Sequence, residues 1–353
     1  MVSSDEQYEY CPRCDANLTL QKGYVNTLPY WVCKGCGEML INPDVDATDD
    51  VAWICDRCGA MLNVQDGFKD NEGKWACTEC GFVNDIDEKN LYDTEEDYIA
   101  DLHNPYKGLS DEQVLHITSF VKVRSIDDRG HIILVEDADT GKQYIKKYLT
   151  VYDKSIYEYL KKHPVVHMPR IDYMAEGSNC LILIEEYIEG RTVGELIGAG
   201  ELSEFQALYI AAKTCAILKE LHAQPNPIVH RDIKPSNIIV TDEGEVYLLD
   251  MNAAKWYEPD RSDDSRHIGT WNYAAPEQAG YGLKASSAKS DIYSLGVLMN
   301  VMLTGAMPKE KKAPDPYWPV IEKCISLEAD ARYSAEELLN VLEKIKGRGE
   351  DNE

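Results

Sequence analysis

Four side chains in the second half of the chain are of the types that phosphoryl transfer needs. The stretch from His230 to Asn237 holds Asp232, Lys234 and Asn237, and Asp250 follows thirteen residues after that asparagine. A carboxylate can accept the proton of an acceptor hydroxyl, and a lysine can balance charge on the moving phosphoryl group. Amide and carboxylate oxygens suit Mg²⁺. These residues are the candidate catalytic set.

The spacing of this set matches a known pattern. The stretch fits H-R-D-x-x-x-x-N at every fixed position, and Ala275-Pro276-Glu277 follows at a suitable distance. With these motifs the chain resembles the protein kinases. The resemblance implies that Asp232 is the catalytic base, that Lys234 balances charge, and that Asn237 and Asp250 hold Mg²⁺. The usual Asp-Phe-Gly is Asp-Met-Asn here.

Two features resemble serine/threonine kinases rather than tyrosine kinases. Lys234 stands at the second position after Asp232, and Gly269-Thr270 precedes the Ala-Pro-Glu motif. Thr270 is expected to contact both Asp232 and Lys234. The implied substrate is therefore a protein with a serine or threonine hydroxyl as acceptor.

The resemblance also implies residues that bind ATP. Lys146, in Gln143-Tyr-Ile-Lys, matches the strand lysine that pairs with the α- and β-phosphates. Its neighbour Lys147 is expected on the opposite face of the strand. Glu158 is the candidate for the acid that a helix offers to Lys146, with a surface position as the alternative.

The remaining nucleotide contacts are predicted from a turn and from the segment between the lobes. Of the glycine-rich loop G-x-G-x-x-G-x-V only the third glycine remains, as Gly130, while Asp127 adds negative charge where triphosphate is expected. Backbone groups of Glu186 and Ile188 are expected to bind the adenine edge. In that register Glu185 occupies the gatekeeper position, unless the alignment slips by one residue.

Other motif residues are expected to hold the site together or to regulate it. Glu277 resembles the acid of a buried pair, with Arg332 as its partner, and Asp291 resembles the helix-borne anchor of the catalytic loop. Phosphorylation of Ser262 or Ser265, read by Arg231, is a hypothesis for regulation, and an ordinary acidic loop is the alternative.

A second kind of chemistry is repeated at the front of the chain. Two C-x2-C-x18-C-x2-C patterns occur, and each cysteine of the second lies 44 residues after its counterpart in the first. Four thiolates per unit match tetrahedral Zn²⁺, so the units resemble zinc ribbons that fold on a structural metal. Iron in a rubredoxin-like site or a redox dithiol is the alternative. The predicted ligands are Cys11, Cys14, Cys33, Cys36, Cys55, Cys58, Cys77 and Cys80.

Composition excludes some partners. The chain has 62 acidic and 36 basic side chains, a net charge of −26, and residues 1–100 hold 21 acidic against 7 basic ones. Nucleic-acid phosphates and anionic lipid repel such a polyanion, so neither is an expected partner. No apolar run approaches the roughly 18 residues of a membrane span, and the start lacks the order of a signal peptide. We therefore expect a cytoplasmic protein.

Together these patterns predict an α+β protein in which two zinc ribbons precede a two-lobed, protein-kinase-like domain. The predicted boundaries are 8–41 and 50–86 for the ribbons, 87–112 for an acidic linker and 113–348 for the kinase-like domain. The leading interpretation is an ATP- and Mg²⁺-dependent kinase whose ribbons dock a protein partner or regulate the enzyme. The alternative is a catalytically idle scaffold with a kinase fold, which the degenerate glycine loop favours. A nucleic-acid-binding zinc protein is the third, disfavoured interpretation.

Overall fold

A computed structural model describes residues 10–14, 16–21, 24, 30–36, 39–41, 53–69, 73–86, 95–258, 270–279 and 286–350. The chain divides into two compact units, Met1–Leu102 and His103–Glu353. Within the described ranges, no helix is both long enough and apolar enough to cross a membrane.

The first unit contains two small modules of one design. In each, a short antiparallel hairpin carries the second pair of cysteines: β1 (Tyr30–Val32) pairs with β2 (Met39–Ile41), and β3 (Gly73–Ala76) with β4 (Val83–Ile86). Among the residues that the structure describes in each module, only a few apolar side chains, such as those of Leu18 and Leu62, are buried. Cores of this size rarely stabilise a fold without a staple.

The segment predicted as an acidic linker, 87–112, contains regular structure. Helix α1 (Glu95–Leu102) lies within it, whereas residues 87–94 lie outside the described residues. Further along, the carbonyl of Lys107 accepts a hydrogen bond from Ser178 N (2.7 Å). Asn104 O likewise accepts from Asn179 Nδ2 (3.1 Å). The second unit therefore includes chain that precedes residue 113.

The N-terminal lobe of the second unit is a five-stranded antiparallel sheet with the strand order β5-β6-β7-β9-β8. A capping box opens the helix before it, because Gln113 N donates to Ser110 Oγ (3.3 Å) and Ser110 N donates to Gln113 Oε1 (2.9 Å). The elements are α2 (Asp111–Thr118), β5 (Phe120–Ser125), β6 (Ile132–Asp137), β7 (Gln143–Leu149), α3 (Lys154–Lys162), β8 (Ile171–Glu176) and β9 (Leu181–Glu186).

The central strands β7 and β9 are covered on both faces. In their register Lys147 lies opposite Leu183, and Lys146 lies opposite Ile184. Leu183 belongs to the large core that includes helix α3, whereas Ile184 packs with Phe120 on the other face. Because side chains alternate along a strand, the two lysines must point to opposite faces of the sheet.

The C-terminal lobe is mainly helical and surrounds the long helix α5. Its helices are α4 (Val193–Ala199), α5 (Glu204–His222), α6 (Ala288–Thr304), α7 (Trp318–Cys324) and α8 (Ala335–Glu350). Two small sheets carry the loops of the candidate site: β10 (Arg191–Thr192), β12 (Ile238–Val240) and β13 (Val246–Leu248) form one, and β11 (Ile228–Val229) and β14 (Lys255–Trp256) form the other. This two-lobed α+β architecture confirms the predicted fold class.

Candidate active site and metal centres

The loop that carries the candidate catalytic set is fixed from below by a buried acid. Asp291 of α6 accepts hydrogen bonds from the backbone N–H groups of His230 (2.9 Å) and Arg231 (2.7 Å). His222 Nε2 lies 2.8 Å from the same carboxylate. Burial raises the pKa of Asp291, but the hydrogen bond and charge of His222 outweigh burial and keep the pKa below its usual range. The anchoring contact predicted for Asp291 is therefore present.

The carboxylate of Asp232 is surrounded by hydrogen-bond donors. Its Oδ1 accepts from Thr270 N (3.0 Å) and Thr270 Oγ1 (2.8 Å). Its Oδ2 lies 2.7 Å from Lys234 Nζ and accepts from Asn237 Nδ2 at 3.0 Å. Lys234 Nζ also donates to Thr270 Oγ1 (3.0 Å). The resemblance to serine/threonine kinases implied this convergence of Asp232, Lys234, Asn237 and Thr270, and the contacts are present.

These donors keep Asp232 ionised. Burial raises its pKa, but the hydrogen bond and positive charge of Lys234, together with the Thr270 hydroxyl, lower it below the usual aspartate value. A carboxylate held in this way can accept a hydrogen bond from an incoming hydroxyl.

Asp250 supplies an oxygen that lacks a protein donor. Its backbone is left-handed (φ 69°), and within the described residues no hydrogen-bond donor reaches its buried Oδ1. A buried carboxylate oxygen without a donor is the arrangement that a cation satisfies. Asn237 uses its Nδ2 on Asp232, which leaves the amide oxygen as the atom suited to a second ligand position. The residues present thus fit Mg²⁺.

The structure corrects the choice of strand lysine. Lys147 Nζ lies 3.8 Å from Asp250 Oδ1, so Lys147 faces the catalytic cleft. Lys146 points away from the cleft. Its Nζ donates to the carbonyl of Ile117, in the last turn of α2 (3.5 Å), and to that of Phe120, the first residue of β5 (3.3 Å). Lys147 was expected on the face of β7 away from the phosphates, but it lies on the face toward the cleft. That face also carries Leu149 and, on the neighbouring strand, Leu183, and both pack on α3.

The predicted helix acid also lies elsewhere. The Glu158 side chain is 51% exposed and pairs with Lys154 at 3.7 Å on the surface of α3. The helix instead buries Ile156, Tyr157 and Leu160. Lys147 Nζ is paired with Glu185 Oε1 of β9 at 2.7 Å, and the Tyr157 hydroxyl donates to Asn252 Oδ1 at 2.8 Å. The sequence predicted Glu185 at the gatekeeper position, but its ion pair with Lys147 was not predicted.

The turn that replaces the glycine-rich loop is closed by its own backbone. Gly130 has φ 71°, which favours glycine, and a Cβ there would meet open space. Asp127 Oδ1 accepts a hydrogen bond from Ile132 N (2.8 Å). Burial raises the pKa of Asp127, but the backbone N–H groups of Ile132 and His131 outweigh burial and lower it. This carboxylate is therefore engaged within the turn.

The segment between the lobes begins at the end of β9. Glu186 N donates to Arg170 O at 2.9 Å, so a ligand would meet Glu186 through its carbonyl oxygen. Ile188 follows and is buried. Nothing in these positions conflicts with the predicted adenine contacts, which remain a prediction.

Comparison with known proteins agrees with this geometry. The protein kinase domain family matches residues 130–336, more than half of the chain. The chain belongs to the protein kinase family. Its kinase domain is similar to serine/threonine-protein kinase A of Synechocystis sp., with 36% identity over 155 residues, which is 40% of this chain and 29% of that protein.

Two further relatives are similar over much the same share of the chain. Serine/threonine-protein kinase PrkC of Bacillus subtilis is 36% identical over 137 residues, or 38% of this chain and 20% of the relative. Probable serine/threonine-protein kinase PknB of Corynebacterium glutamicum is 33% identical over 143 residues, or 39% and 22%. The chain thus spans less than a third of the length of the curated relatives it matches.

A buried ion pair stabilises the segment that follows the catalytic loop of the kinase domain. Arg332 Nη1 and Nη2 donate to the two oxygens of Glu277 at 2.7 and 3.0 Å, and Ser290 Oγ donates to Glu277 Oε1 at 2.7 Å. The predicted partnership of Glu277 and Arg332 is present. Ser262 and Ser265, the predicted phosphorylation sites, lie outside the described residues.

The eight predicted zinc ligands gather into two groups of four. Within each group all the sulfur atoms lie within 4.8 Å of one another. Closest sulfur pairs are 3.5 and 3.7 Å apart in the first group and 3.6 and 3.7 Å in the second. Tetrahedral Zn–S bonds of about 2.3 Å require sulfurs roughly 3.8 Å apart. Both groups therefore fit Zn²⁺, and Gly59 (φ 69°) and Gly81 (φ 73°), each just after a Cys-x-x-Cys pair, supply the positive φ that the tight turn requires.

A glutamine outside the cysteine pattern supports each metal site. Gln65 donates from Nε2 to Cys77 Sγ (3.3 Å), while its Oε1 accepts from Trp75 Nε1 (2.8 Å) and Thr78 N (2.9 Å). Burial raises the pKa of Cys77, but the hydrogen bond from Gln65 and backbone N–H groups lower it to about 6. A thiolate is the form that binds metal.

The first ribbon repeats this arrangement. Gln21 donates to Cys33 Sγ (3.5 Å) and accepts from Trp31 Nε1 (3.0 Å) and Lys34 N (2.8 Å). Sequence analysis missed both glutamines, although Gln21 and Gln65 are separated by the same 44 residues as the cysteines. Extending the repeat beyond the cysteines would have identified them.

Proposed function

We propose that this chain is a protein serine/threonine kinase that transfers the γ-phosphoryl group of ATP to a hydroxyl in a Mg²⁺-dependent reaction. The observation that carries the proposal is the binding of one carboxylate, that of Asp232, by Thr270, Lys234 and Asn237 together. A carboxylate that only holds a loop in place does not need an ammonium group and the hydroxyl of a residue 38 positions further along the chain on the same two oxygens.

In this proposal Asp232 orients the acceptor hydroxyl and takes up its proton as the phosphoryl group is transferred. Lys234 bridges Asp232 and Thr270, so its ammonium group is held where negative charge develops on the phosphoryl oxygens. Thr270 limits the space beside Asp232 to a compact acceptor. Serine and threonine hydroxyls satisfy that limit.

The nucleotide and its metal have identifiable partners. Asp250 Oδ1 and the Asn237 amide oxygen would hold Mg²⁺, which neutralises charge on the phosphates when bound. Lys147, rather than Lys146, would pair with the α- and β-phosphates, because Lys147 faces Asp250. The carbonyl of Glu186 and the backbone N–H of Ile188 would receive the adenine edge, and the turn around Gly130 would cover the phosphates.

The names of the relatives support the acceptor class. Those reported above are serine/threonine kinases by name. Since this chain spans less than a third of each, their substrates and partners are not carried over. The protein substrate here is proposed only by its chemistry, an accessible serine or threonine.

The ribbons complete the proposal as a zinc-bound docking or regulatory module. Both four-cysteine groups fit Zn²⁺, and none of the eleven cysteines, all of which lie in the described ranges, forms a disulfide. The second ribbon exposes Phe82 and Val83 side by side, by 37% and 54%. Exposed apolar neighbours of this kind suit a protein partner.

The test is transfer of labelled γ-phosphate from Mg-ATP, to the chain itself and to a generic serine/threonine-rich protein. The parent is compared with Asp232→Asn and with the control Asp242→Asn, an aspartate in the turn between β12 and β13. We expect label with the parent and the control and a loss of at least about a hundredfold with Asp232→Asn. A folded, zinc-loaded parent that transfers no label would favour the alternative, a kinase-fold scaffold that recruits partners.

A further inference from the structure

We propose that Glu185, on strand β9 of the sheet, is the positioning residue that holds Lys147 toward the nucleotide phosphates, in the place of an acid on helix α3. This inference rests on the proposed ATP-dependent transfer, since it concerns the lysine of that same site. It assigns a role to a residue that lies outside the motifs of the catalytic loop.

The first support is the geometry of the pair. Lys147 Nζ and Glu185 Oε1 are 2.7 Å apart, and their side chains are only 7% and 10% exposed. Among the described residues, Glu185 and Asp250 are the acids within ion-pair distance of that ammonium group. Asp250 lies farther off, at 3.8 Å, and is the proposed Mg²⁺ ligand. Glu185 is thus the available carboxylate for positioning Lys147.

The second support is that helix α3 places no acidic side chain near Lys147. Within Lys154–Lys162 the sequence contains a single acidic residue, Glu158. That side chain is half exposed and pairs with Lys154 on the outer face. The inward position next to it belongs to Tyr157, which is 2% exposed and uses its hydroxyl on Asn252. Helix α3 therefore contacts the Asp250-Met-Asn252 turn through the Tyr157 hydroxyl and offers no carboxylate to Lys147.

The third support is the central place in the sheet of the strand that carries Glu185. Strand β9 pairs with β7 on one side and β8 on the other, and Glu185 lies opposite Ile145 in the same β7 that bears Lys147. Both members of the ion pair therefore belong to neighbouring strands of one sheet. The ion pair is therefore made within the sheet and requires no side chain of α3.

The charges are consistent with a pair that orders the lysine. Burial lowers the pKa of Lys147, but the charges of Glu185 and Asp250 outweigh burial and raise it. For Glu185 burial raises the pKa and Lys147 opposes that shift only in part. Tyr157 also faces this cluster, and burial together with the charges of Asp250 and Glu185 raises its pKa. Lys147 is therefore the cation that balances a buried acidic cluster.

The first arm of the test is steady-state kinetics of the full zinc-loaded chain, with Glu185→Gln against the control Glu158→Gln. Both changes remove one carboxylate charge at constant size. We expect Glu185→Gln to lower kcat/KM for ATP by roughly tenfold to a hundredfold, as for loss of a buried charge-assisted hydrogen bond, and to leave KM for the protein substrate unchanged. Glu158→Gln should behave as the parent. Parent-like kinetics for Glu185→Gln, or a loss in Glu158→Gln instead, would overturn the proposal.

The second arm does not need catalysis, so it separates failure of this inference from failure of the proposed function. The rate at which a small amine-acylating reagent modifies Lys147 at about pH 8 is measured by mass spectrometry in the parent and in Glu185→Met. Without the Glu185 carboxylate at 2.7 Å the amino group of Lys147 is no longer held in an ion pair and should react about tenfold faster, while Lys146 reacts at the parental rate. Equal rates at Lys147, in variants shown by circular dichroism to be folded, would show that Glu185 does not hold the lysine.

Discussion

Lys146 and Lys147 are consecutive in sequence, yet their ammonium groups lie on opposite faces of strand β7. Lys146 Nζ donates to Ile117 O in the last turn of α2 (3.5 Å) and to Phe120 O at the start of β5 (3.3 Å). Lys147 Nζ lies 2.7 Å from Glu185 Oε1 in the cleft. The two lysines therefore have separable functions. One stabilises the packing of α2 on the sheet, and the other is placed for chemistry.

Exchange of each lysine for methionine should separate these functions. We expect Lys147→Met to lower phosphoryl transfer by about a hundredfold or more, because a preorganised cation at the phosphates is lost. Lys146→Met should keep transfer within a few fold but lower stability by about 1 kcal/mol, because the carbonyls of Ile117 and Phe120 lose their donor. Initial rates at saturating Mg-ATP and thermal unfolding measure the two effects. The reverse assignment, with transfer lost only in Lys146→Met, would restore the alignment expected from sequence.

The lysine pair shows what sequence could and could not predict. The catalytic loop was predictable because Asp232, Lys234 and Asn237 lie within six residues, and the ribbons because each metal site repeats a local spacing. The choice between Lys146 and Lys147 depends on which face of β7 packs on α3, and that is decided by residues distant in sequence. Reading the strand from Leu149, whose face carries the core, would have selected Lys147.

Glu158 lies away from the strand lysines for a related reason. The rotation of α3 about its axis is set by which apolar side chains the sheet buries, here Ile156, Tyr157 and Leu160. That choice places Glu158 outward. The register of a helix or strand relative to its neighbours is a tertiary property, which local motifs do not encode. Gln21 and Gln65, which donate hydrogen bonds to cysteine sulfurs, could in contrast have been found from the 44-residue repeat.

The ion pair between Glu277 and Arg332 should contribute strongly to stability. Removal of one charge leaves the other buried, because the Arg332 side chain has no exposed surface. We expect Glu277→Gln to lower the free energy of unfolding of the kinase domain by about 3 kcal/mol. The matched control is Glu336→Gln, whose partner Lys219 lies at 2.9 Å on the surface, where the expected loss is below about 0.5 kcal/mol. Urea unfolding followed by far-ultraviolet circular dichroism compares them, and equal losses would contradict the prediction.

The same pair should give a pH dependence of known sign. Burial raises the pKa of Glu277, but the hydrogen bond and charge of Arg332 outweigh burial and lower it. A lowered pKa in the folded state means that the stabilisation is complete above the unfolded value, about 4.3, and is lost as the pH falls through the lower folded value. The stability difference between the parent and Glu277→Gln should therefore be constant from about pH 6 to about pH 5 and shrink below about pH 4. A difference that grows on acidification would contradict this sign.

The glutamine at each ribbon should tune its affinity for zinc. Gln65→Leu removes the donor to Cys77 Sγ and the acceptor of Trp75 Nε1 and Thr78 N at once. We expect a fall in Zn²⁺ affinity at that ribbon of about tenfold to a hundredfold, as for other residues that orient metal ligands. The full chain should bind two Zn²⁺, and competition with a chromophoric chelator should show one site weakened and the other unchanged. Asp66→Asn, an exposed neighbour, is the matched control. Two parental affinities in Gln65→Leu would mean that the hydrogen bonds around Cys77 do not support the metal.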